Sequence, residues 1–447
     1  MAFVAPVGKS LIDVVPVAEK NRQVAPRRAR CPDPKKCVEE QPGVAARPTL
    51  ARGICGSIRA HFASDRQWHG WVMSVFRSDG HFCIIQVSQQ LLAERYSSMN
   101  YSSPNLNTLR SLAVIFVVLS HLLLDRSVVG FGGYHTQTLG TLGVLIFFVH
   151  TCLVLMLSLE RQTKIKKNSP ETLLFLVARA FRIFPLSIVV VISLSLIAWM
   201  FSENQPTGFT IVSNILLIQN LTGSTLITPV LWSLPFELQM YFFLPALYLL
   251  INCSGRFSSY CIVALWFSTV ALVLAFWRLG LDFSLIKFFP CFLPGVLAFS
   301  LRRSSRNLSP EFLFYYIGAS AIIFPLMVGH GFKSTIISWP ICLLLGIIIP
   351  WCREIKLRWL QRAGNIIARY SYGIYLLHVP IIYFSFHYIK DISPVTSWVI
   401  FIFGVSGLSY FSYHIIEKPG TEIGRKIVER LIASREQSEQ SRWWMHL

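Results

Sequence analysis

Two ionisable side chains interrupt an apolar stretch near residue 115. Residues 107–124, NTLRSLAVIFVVLSHLLL, carry Arg110 and His121 eleven positions apart. On an α-helix eleven residues make about three turns, so both side chains lie on one face, roughly 16 Å apart along the axis. A guanidinium binds anions and an imidazole exchanges protons near neutral pH, whereas a lipid-facing arginine costs about 2.5–3.5 kcal/mol. This face is therefore predicted to line a protein interior or a wet cavity, as a candidate functional site.

Other polar residues in or beside apolar runs extend this list. Arg179 and Arg182 stand three positions apart, on one face of a helix. Glu237 lies inside WSLPFELQMYFF, where an unpaired carboxylate would be costly, and Pro235 beside it is predicted to bend or open the helix. His378 in YLLHVP is either a packed histidine hydrogen-bonded between helices or a second site residue.

The composition places these residues in a membrane protein. The chain has 447 residues, of which 53% are hydrophobic and 14% charged, against about 25% charged in an average soluble domain. Its net charge of +19 sits in short basic clusters between apolar runs, the positive-inside pattern of a multi-pass protein, which argues against nucleic-acid binding. The ten cysteines show no paired spacing, so we predict neither a disulfide framework nor a metal site.

Ten apolar segments are predicted to cross the membrane, each close to the length that a ~30 Å core requires. They are residues 107–124, 140–159, 183–201, 230–252, 259–279, 284–301, 312–329, 334–351, 371–389 and 395–416. The run 209–221 is too short and polar to span, so it is predicted to lie at the interface or to re-enter the membrane. Basic residues concentrate after the second, sixth, eighth and tenth segments, and 202–229 contains none. The prediction is an all-α polytopic membrane protein of about ten transmembrane helices, with both termini cytoplasmic.

The two ends of the chain differ from this membrane region. Residues 1–98 are rich in Pro, Arg and Ala, without a sustained period or a signal-peptide h-region. We predict a disordered extension, with Met99 as an alternative start; a regulatory cytoplasmic module is the other interpretation. Residues 99–430 form the membrane domain, and 431–447 form a polar cytoplasmic tail. No appended extracytoplasmic domain is expected.

Six stretches together resemble the acyltransferase-3 family of integral-membrane acyltransferases. They occur in the family's order as LRSLAVIFVVLSHLL (109–123), LGVLIFFV (142–149), RAFRIFPL (179–186), LWSLPFELQMYFFLP (231–245), YSYGIYLLHVP (370–380) and IIEKPG (415–420). The resemblance implies a multi-pass enzyme of the cell (inner or plasma) membrane that transfers an acyl group, often acetyl, from cytoplasmic acyl-CoA to a hydroxyl. Acceptors in such proteins are usually carbohydrates or glycolipids of the cell surface, such as lipopolysaccharide. No permanently bound cofactor or metal is implied.

The family's Arg-x10-His motif maps onto Arg110 and His121, and its Arg-x-x-Arg motif maps onto Arg179 and Arg182. His121 is predicted to be the general base that activates the acceptor hydroxyl; a histidine that only caps the helix end is the alternative. The three arginines are predicted to bind the phosphates of coenzyme A, although positive-inside anchoring also explains basic residues in these loops. Asp125, one turn after His121, would orient its imidazole or stand solvated at the helix end.

The remaining site predictions concern the cavity. Glu237 is predicted to pair with an arginine or to orient the acceptor, and Trp232 and Tyr241 to stack on a sugar ring. After GVLIFFV the family usually has a small Ser-Gly pair, whereas His150 and Thr151 stand here, so helix packing must differ at this point. His150 would add a polar group to the cavity.

Two other functions fit a multi-pass chain with buried Arg, Glu and His. A transporter or flippase of a polar or glycan-linked substrate would use the same cavity without acyl transfer. A catalytically lapsed scaffold is allowed by the departure at 150–151. The full set of family stretches favours the enzyme.

Overall fold

The structure is a computed structural model of the chain. It describes residues 73–78, 81–86, 103–126, 130–131, 134–166, 172–201, 205–281, 284–302, 307–389 and 393–445. Of the predicted extension it describes one antiparallel hairpin, in which β1 (Met73–Ser78) pairs with β2 (His81–Gln86). The predictions of disorder and of a start at Met99 otherwise lie outside the described residues.

Helices make up nearly all of the rest. They are α1 (Pro104–Asp125), α2 (Gln137–Lys166), α3 (Thr172–Phe201), α4 (Gly208–Ile215), α5 (Gln219–Thr222), α6 (Leu234–Ser254), α7 (Ser258–Arg278), α8 (Ser284–Leu301), α9 (Glu311–Gly329), α10 (Ser334–Trp351), α11 (Arg358–Tyr383), α12 (Pro394–Ser412) and α13 (Lys418–Met445). A short pairing of β3 (Gly130–Phe131) with β4 (Tyr134–His135) joins α1 to α2. Each of the ten predicted apolar segments lies on a different long helix. Residues 431–445 of the predicted polar tail are part of α13.

Eight segments of the described chain are long and apolar enough to cross a membrane. One of them, Pro229–Arg278, contains both α6 and α7. The helix α11, which carries Arg358, Arg362 and Arg369, is not among the eight. The fold class, an all-α multi-pass membrane protein, is confirmed. The count of ten spans and the cytoplasmic termini stay predictions.

The run 209–221 forms two short helices, α4 and α5, of eight and four residues. At 1.5 Å per residue neither reaches across a membrane, in agreement with the prediction that this run does not span. A 3₁₀ turn, Pro229–Trp232, then leads into α6. Pro235 was predicted to bend that helix, which is wrong: it occupies the first turn, where the missing N–H would have no helical partner anyway.

The beginning of α1 is fixed by local and long-range contacts. The Ser103 hydroxyl accepts a hydrogen bond from the Leu106 N–H at 3.4 Å, and Pro104 occupies the first turn. Both features favour a helix start at this point. The same hydroxyl donates to the Glu354 carboxylate at 3.0 Å, which ties α1 to the segment before α11. The position of Arg110, two turns into α1, is thereby constrained.

Two glycines bring α1, α2 and α8 to backbone contact. A Cβ built on Gly143 of α2 would lie 2.5 Å from the Ala113 carbonyl oxygen of α1. A Cβ on Gly295 of α8 would lie 2.2 Å from the Val149 carbonyl oxygen of α2. Small residues permit such close packing between membrane helices. Gly295 therefore lets α8 pack closely against α2 at Val149, Cys152 and Leu153. The altered packing expected from the bulkier pair at 150–151 stays a prediction.

Two π-helical turns follow α11 and α12. They comprise Phe384–Tyr388 and Tyr413–Glu417. Turns of this type inside helices are frequent at functional sites, because the extra residue redirects the side chains that follow. Here the first turn carries His387 and the second ends at Glu417.

Candidate functional site

A cavity of about 800 Å³, including the part open to solvent, lies among α1, α2, α3, α6 and α11. Its walls combine apolar side chains with a concentrated set of polar ones. The ionisable and hydroxyl groups considered below are Arg110, His150, Arg179, Arg182, Glu237 and Tyr241. The sequence singled out all six of these positions, and the fold brings them to one cavity.

Arg110 is oriented by the facing helix. Its Nε–H donates to Ser371 Oγ on α11 at 2.6 Å, and that hydroxyl donates in turn to the Ala368 carbonyl at 2.9 Å. A guanidinium anchored through Nε retains its terminal nitrogens as donors in a fork geometry. Such a side chain is prepared for an anion in the cavity.

Arg179 and Arg182 reach the same cavity from α3. A spacing of three places both on one helical face, as the sequence predicted. Arg179 lies 5.7 Å from the ring of Phe175, and its Nη2 approaches Ser158 Oγ at 3.5 Å. Three guanidinium groups from two helices therefore surround one buried space. That arrangement suits a ligand with several negative charges.

Glu237 stands in the first turn of α6, where the helix dipole favours a carboxylate. Its Oε1 accepts a hydrogen bond from the Tyr241 hydroxyl at 2.6 Å. The sequence suggested an arginine as partner; its described hydrogen-bond partner is instead the tyrosine one turn further along the same helix. Arg110 remains within electrostatic range of this carboxylate.

His121 lies beyond the described lining of the cavity, next to His378. The Nδ1 atom of His121 is 3.3 Å from Nε2 of His378 and 2.9 Å from the Val117 carbonyl oxygen. The two rings meet edge to face with centroids 5.0 Å apart. Tyr375 lines the cavity, and its ring centroid is 6.4 Å from that of His378, so the histidine pair lies next to the arginine cavity.

Of the two roles that the sequence left open for Asp125, orientation of His121 is wrong. Asp125 Oδ1 contacts His387 Nε2 at 2.5 Å, and its other oxygen lies 3.8 Å from Arg126 Nε. Side chains of an α-helix point toward its N-terminus, and the His121 ring turns back to Val117 accordingly. The imidazole therefore points away from the residue one turn later.

The aromatic and histidine candidates have different positions. His150 is buried in the cavity wall, as the sequence suggested. Trp232 is not a lining residue: it packs with Phe288 at 5.5 Å and with the lining residue Phe148 at 6.4 Å between ring centroids. Sugar stacking by Trp232 or Tyr241 stays a prediction.

No role was predicted from the sequence for Glu417. This carboxylate is 8% exposed, and a Cβ built on Gly373 of α11 would lie 3.3 Å from its Oε1. It is within electrostatic range of Arg110 and Arg182. The signal was present in the IIEKPG stretch, since an acidic residue beside an apolar run needs a partner. In the part of the chain that the structure describes, no three His, Cys, Asp or Glu side chains are grouped to hold a metal ion.

Fold and site together define a multi-pass helical membrane protein with an arginine-rich internal cavity beside two contacting histidines, of which His378 is buried and His121 half-buried. The sequence model of the acyltransferase-3 family, described as an acyltransferase domain, matches residues 103–414. The chain therefore belongs to this family and is a membrane acyltransferase. The match begins at the N-cap of α1 and ends just short of Glu417. No curated protein and no solved structure matches the chain.

Proposed function

We propose that this chain transfers an acyl group, in the first place acetyl, from acyl-CoA to a hydroxyl of a cell-surface carbohydrate or glycolipid in the cell membrane. The observation that carries the proposal is the convergence of Arg110, Arg179 and Arg182 on one cavity. Coenzyme A carries a pyrophosphate and a ribose phosphate, and guanidinium forks bind such groups in bidentate fashion. A neutral substrate would need no such concentration of charge.

The position of His121 fits the length of this donor. Arg110 and His121 lie on the same helix, about 16 Å apart along its axis. Coenzyme A places an extended pantetheine arm between its phosphates and its thioester. With the phosphates at the arginines, the arm passes the apolar wall formed by Phe147 and Leu234 and directs the thioester past Tyr375 toward His121.

The chemistry then requires one base. As the acceptor oxygen attacks the thioester carbonyl, its proton passes to Nε2 of His121, the ring nitrogen opposite the one bound to Val117. The new C–O bond forms and the C–S bond breaks. The imidazolium returns the proton to the departing thiolate, so the products are the O-acyl ester and free coenzyme A, and His121 is neutral again.

The test measures transfer of labelled acetyl from acetyl-CoA in membranes of the natural host, where the acceptor is present. Native protein is expected to place label in a carbohydrate or glycolipid fraction, as an ester released by mild alkali. His121→Ala is expected to lower this transfer by about 10²–10⁴-fold, the usual contribution of a general base. His330→Ala, which alters an exposed histidine at the end of α9, is the matched control and should transfer at the native rate.

Equal transfer by native protein and His121→Ala would remove His121 from the mechanism. Absence of transfer by folded native protein, with acetyl-CoA and with longer acyl-CoAs, would contradict the proposed donor and favour transport through the same cavity.

A further inference from the structure

The histidine pair has no carboxylate partner among the described residues. In hydrolytic triads an acidic residue holds the histidine base in one tautomer and stabilises the imidazolium. Here the nearby Asp125 is engaged with His387, and His121 instead contacts a second histidine. His378 is fully buried, with 0% of its surface exposed, so it is held firmly by its surroundings.

The hydrogen-bond acceptors around the pair determine where its protons are. The Nδ1 atom of His378 is 3.0 Å from the Ile374 carbonyl, and Nδ1 of His121 is 2.9 Å from the Val117 carbonyl. A carbonyl oxygen only accepts hydrogen bonds, so each neutral ring carries its proton on Nδ1. The Nε2 atom of His378 is then an unprotonated acceptor directed at the Nδ1–H of His121.

The opposite tautomer of His121 is unfavourable in this setting. With its proton on Nε2, the Nδ1 lone pair of His121 would face the Val117 oxygen and the His378 Nε2 lone pair at once. With the proton on Nδ1, one shared, three-centred hydrogen bond replaces these two repulsive contacts. When His121 accepts a proton on its own Nε2, the ring becomes positively charged. The Nε2 lone pair of His378 then faces this charged ring and stabilises it.

We propose that His378 is a positioning residue for acyl transfer: it holds His121 in the tautomer that leaves Nε2 free to take the proton of the acceptor hydroxyl. The inference rests on the proposed function of His121 as the base. A neutral histidine here performs the task that a carboxylate performs in hydrolytic triads. No negative charge is then buried beside the thioester.

The test compares His378→Phe, which keeps a ring but removes the lone pair, with His378→Gln, whose amide oxygen can replace Nε2 as acceptor. The Phe variant is expected to lower kcat about 10- to 100-fold, a part of the contribution of the base. The Gln variant should retain most of the native kcat. KM for acyl-CoA should stay native in both, because His378 lies outside the described lining of the cavity. A merely structural role would change thermal stability and KM together.

A second readout is the ¹⁵N spectrum of histidine-labelled protein in micelles, with the His121 signals assigned by their loss in His121→Ala. Native protein and His378→Gln are expected to show a protonated Nδ1 and a bare Nε2 at His121, and His378→Phe a mixture of tautomers. A native His121 protonated on Nε2 would overturn the inference, even if the Phe variant fails to fold. Native kcat in folded His378→Phe would overturn it as well and leave the proposed function standing. Undiminished transfer by His121→Ala would overturn both.

Discussion

Arg110 and His121 of α1 lie in opposite kinds of surroundings. Arg110 shares its cavity with two further arginines and is within electrostatic range of the carboxylates of Glu237 and Glu417. The described polar contacts of His121 are a backbone carbonyl and the imidazole of His378. Both are uncharged when each ring carries its single proton on Nδ1. The groups around Arg110 carry formal charges, whereas the two polar groups that contact His121 are neutral donors and acceptors.

The difference indicates a division of tasks. A cluster of guanidinium groups recognises an anion by charge, and its interaction is the same before and during the reaction. A neutral histidine held in one tautomer contributes in the transition state, when the proton is transferred to it. Changes at the arginine end should therefore alter substrate binding, and changes at the histidine end should alter kcat.

The largest effect at the charged end is expected from Arg110→Met, which removes the charge and keeps much of the side-chain length. Loss of a charge-assisted hydrogen bond costs roughly 1.5–3 kcal/mol, so KM for acyl-CoA should rise by about 10- to 150-fold with a smaller change in kcat. Steady-state kinetics on the labelled-acetyl assay measure both constants. Arg278→Met, at an exposed helix end, is the matched control and should leave KM unchanged. A fall in kcat alone would contradict the division of tasks.

A smaller effect of opposite sign is expected from Glu417→Gln. The native carboxylate opposes the attraction of the arginines for phosphate. If this opposition is worth roughly 1 kcal/mol, replacing the carboxylate by a neutral amide should make free coenzyme A bind about fivefold more tightly. Isothermal titration with coenzyme A measures the change. Glu429→Gln, on the exposed face of α13, should bind as the native protein does. Weaker binding in Glu417→Gln would show that the carboxylate instead holds the arginines in place.

The smallest effect is expected from Asp125→Asn. This residue does not contact His121, and its described partner His387 is half exposed and lies outside the cavity lining. Transfer should stay within about twofold of native, and the melting temperature should change little. Loss of activity comparable to that of His121→Ala would restore Asp125 as the partner of the base.

The sequence allowed much of this arrangement to be predicted because membrane helices follow local rules. Apolar length placed ten segments on ten separate helices. The eleven-residue spacing placed Arg110 and His121 on one face, and both in fact contact α11, through Ser371 and His378.

The remaining details depend on which helices become neighbours, and no local pattern encodes that. Asp125 was assigned to His121 on helical spacing alone, but the turn after α11 brings His387 to it. Glu417 is distant from Arg110 in sequence, so its approach to the cavity depends on the packing of α12 and α13. The close approach of α8 to Val149 of α2 likewise depends on Gly295, a residue far along the chain.

The two contacts between α1 and α11 also restrict how this protein can move. Ser371 holds Arg110 and His378 faces His121, so the two helices are joined at points about three turns apart on α1. Sliding or rotation of one against the other would break both contacts at once. Motion that preserves them carries α1 and α11 as one rigid body, and Gly143 packs α2 against α1 as well. The cavity can then widen only on the side of α3 and α6, the other helices around it.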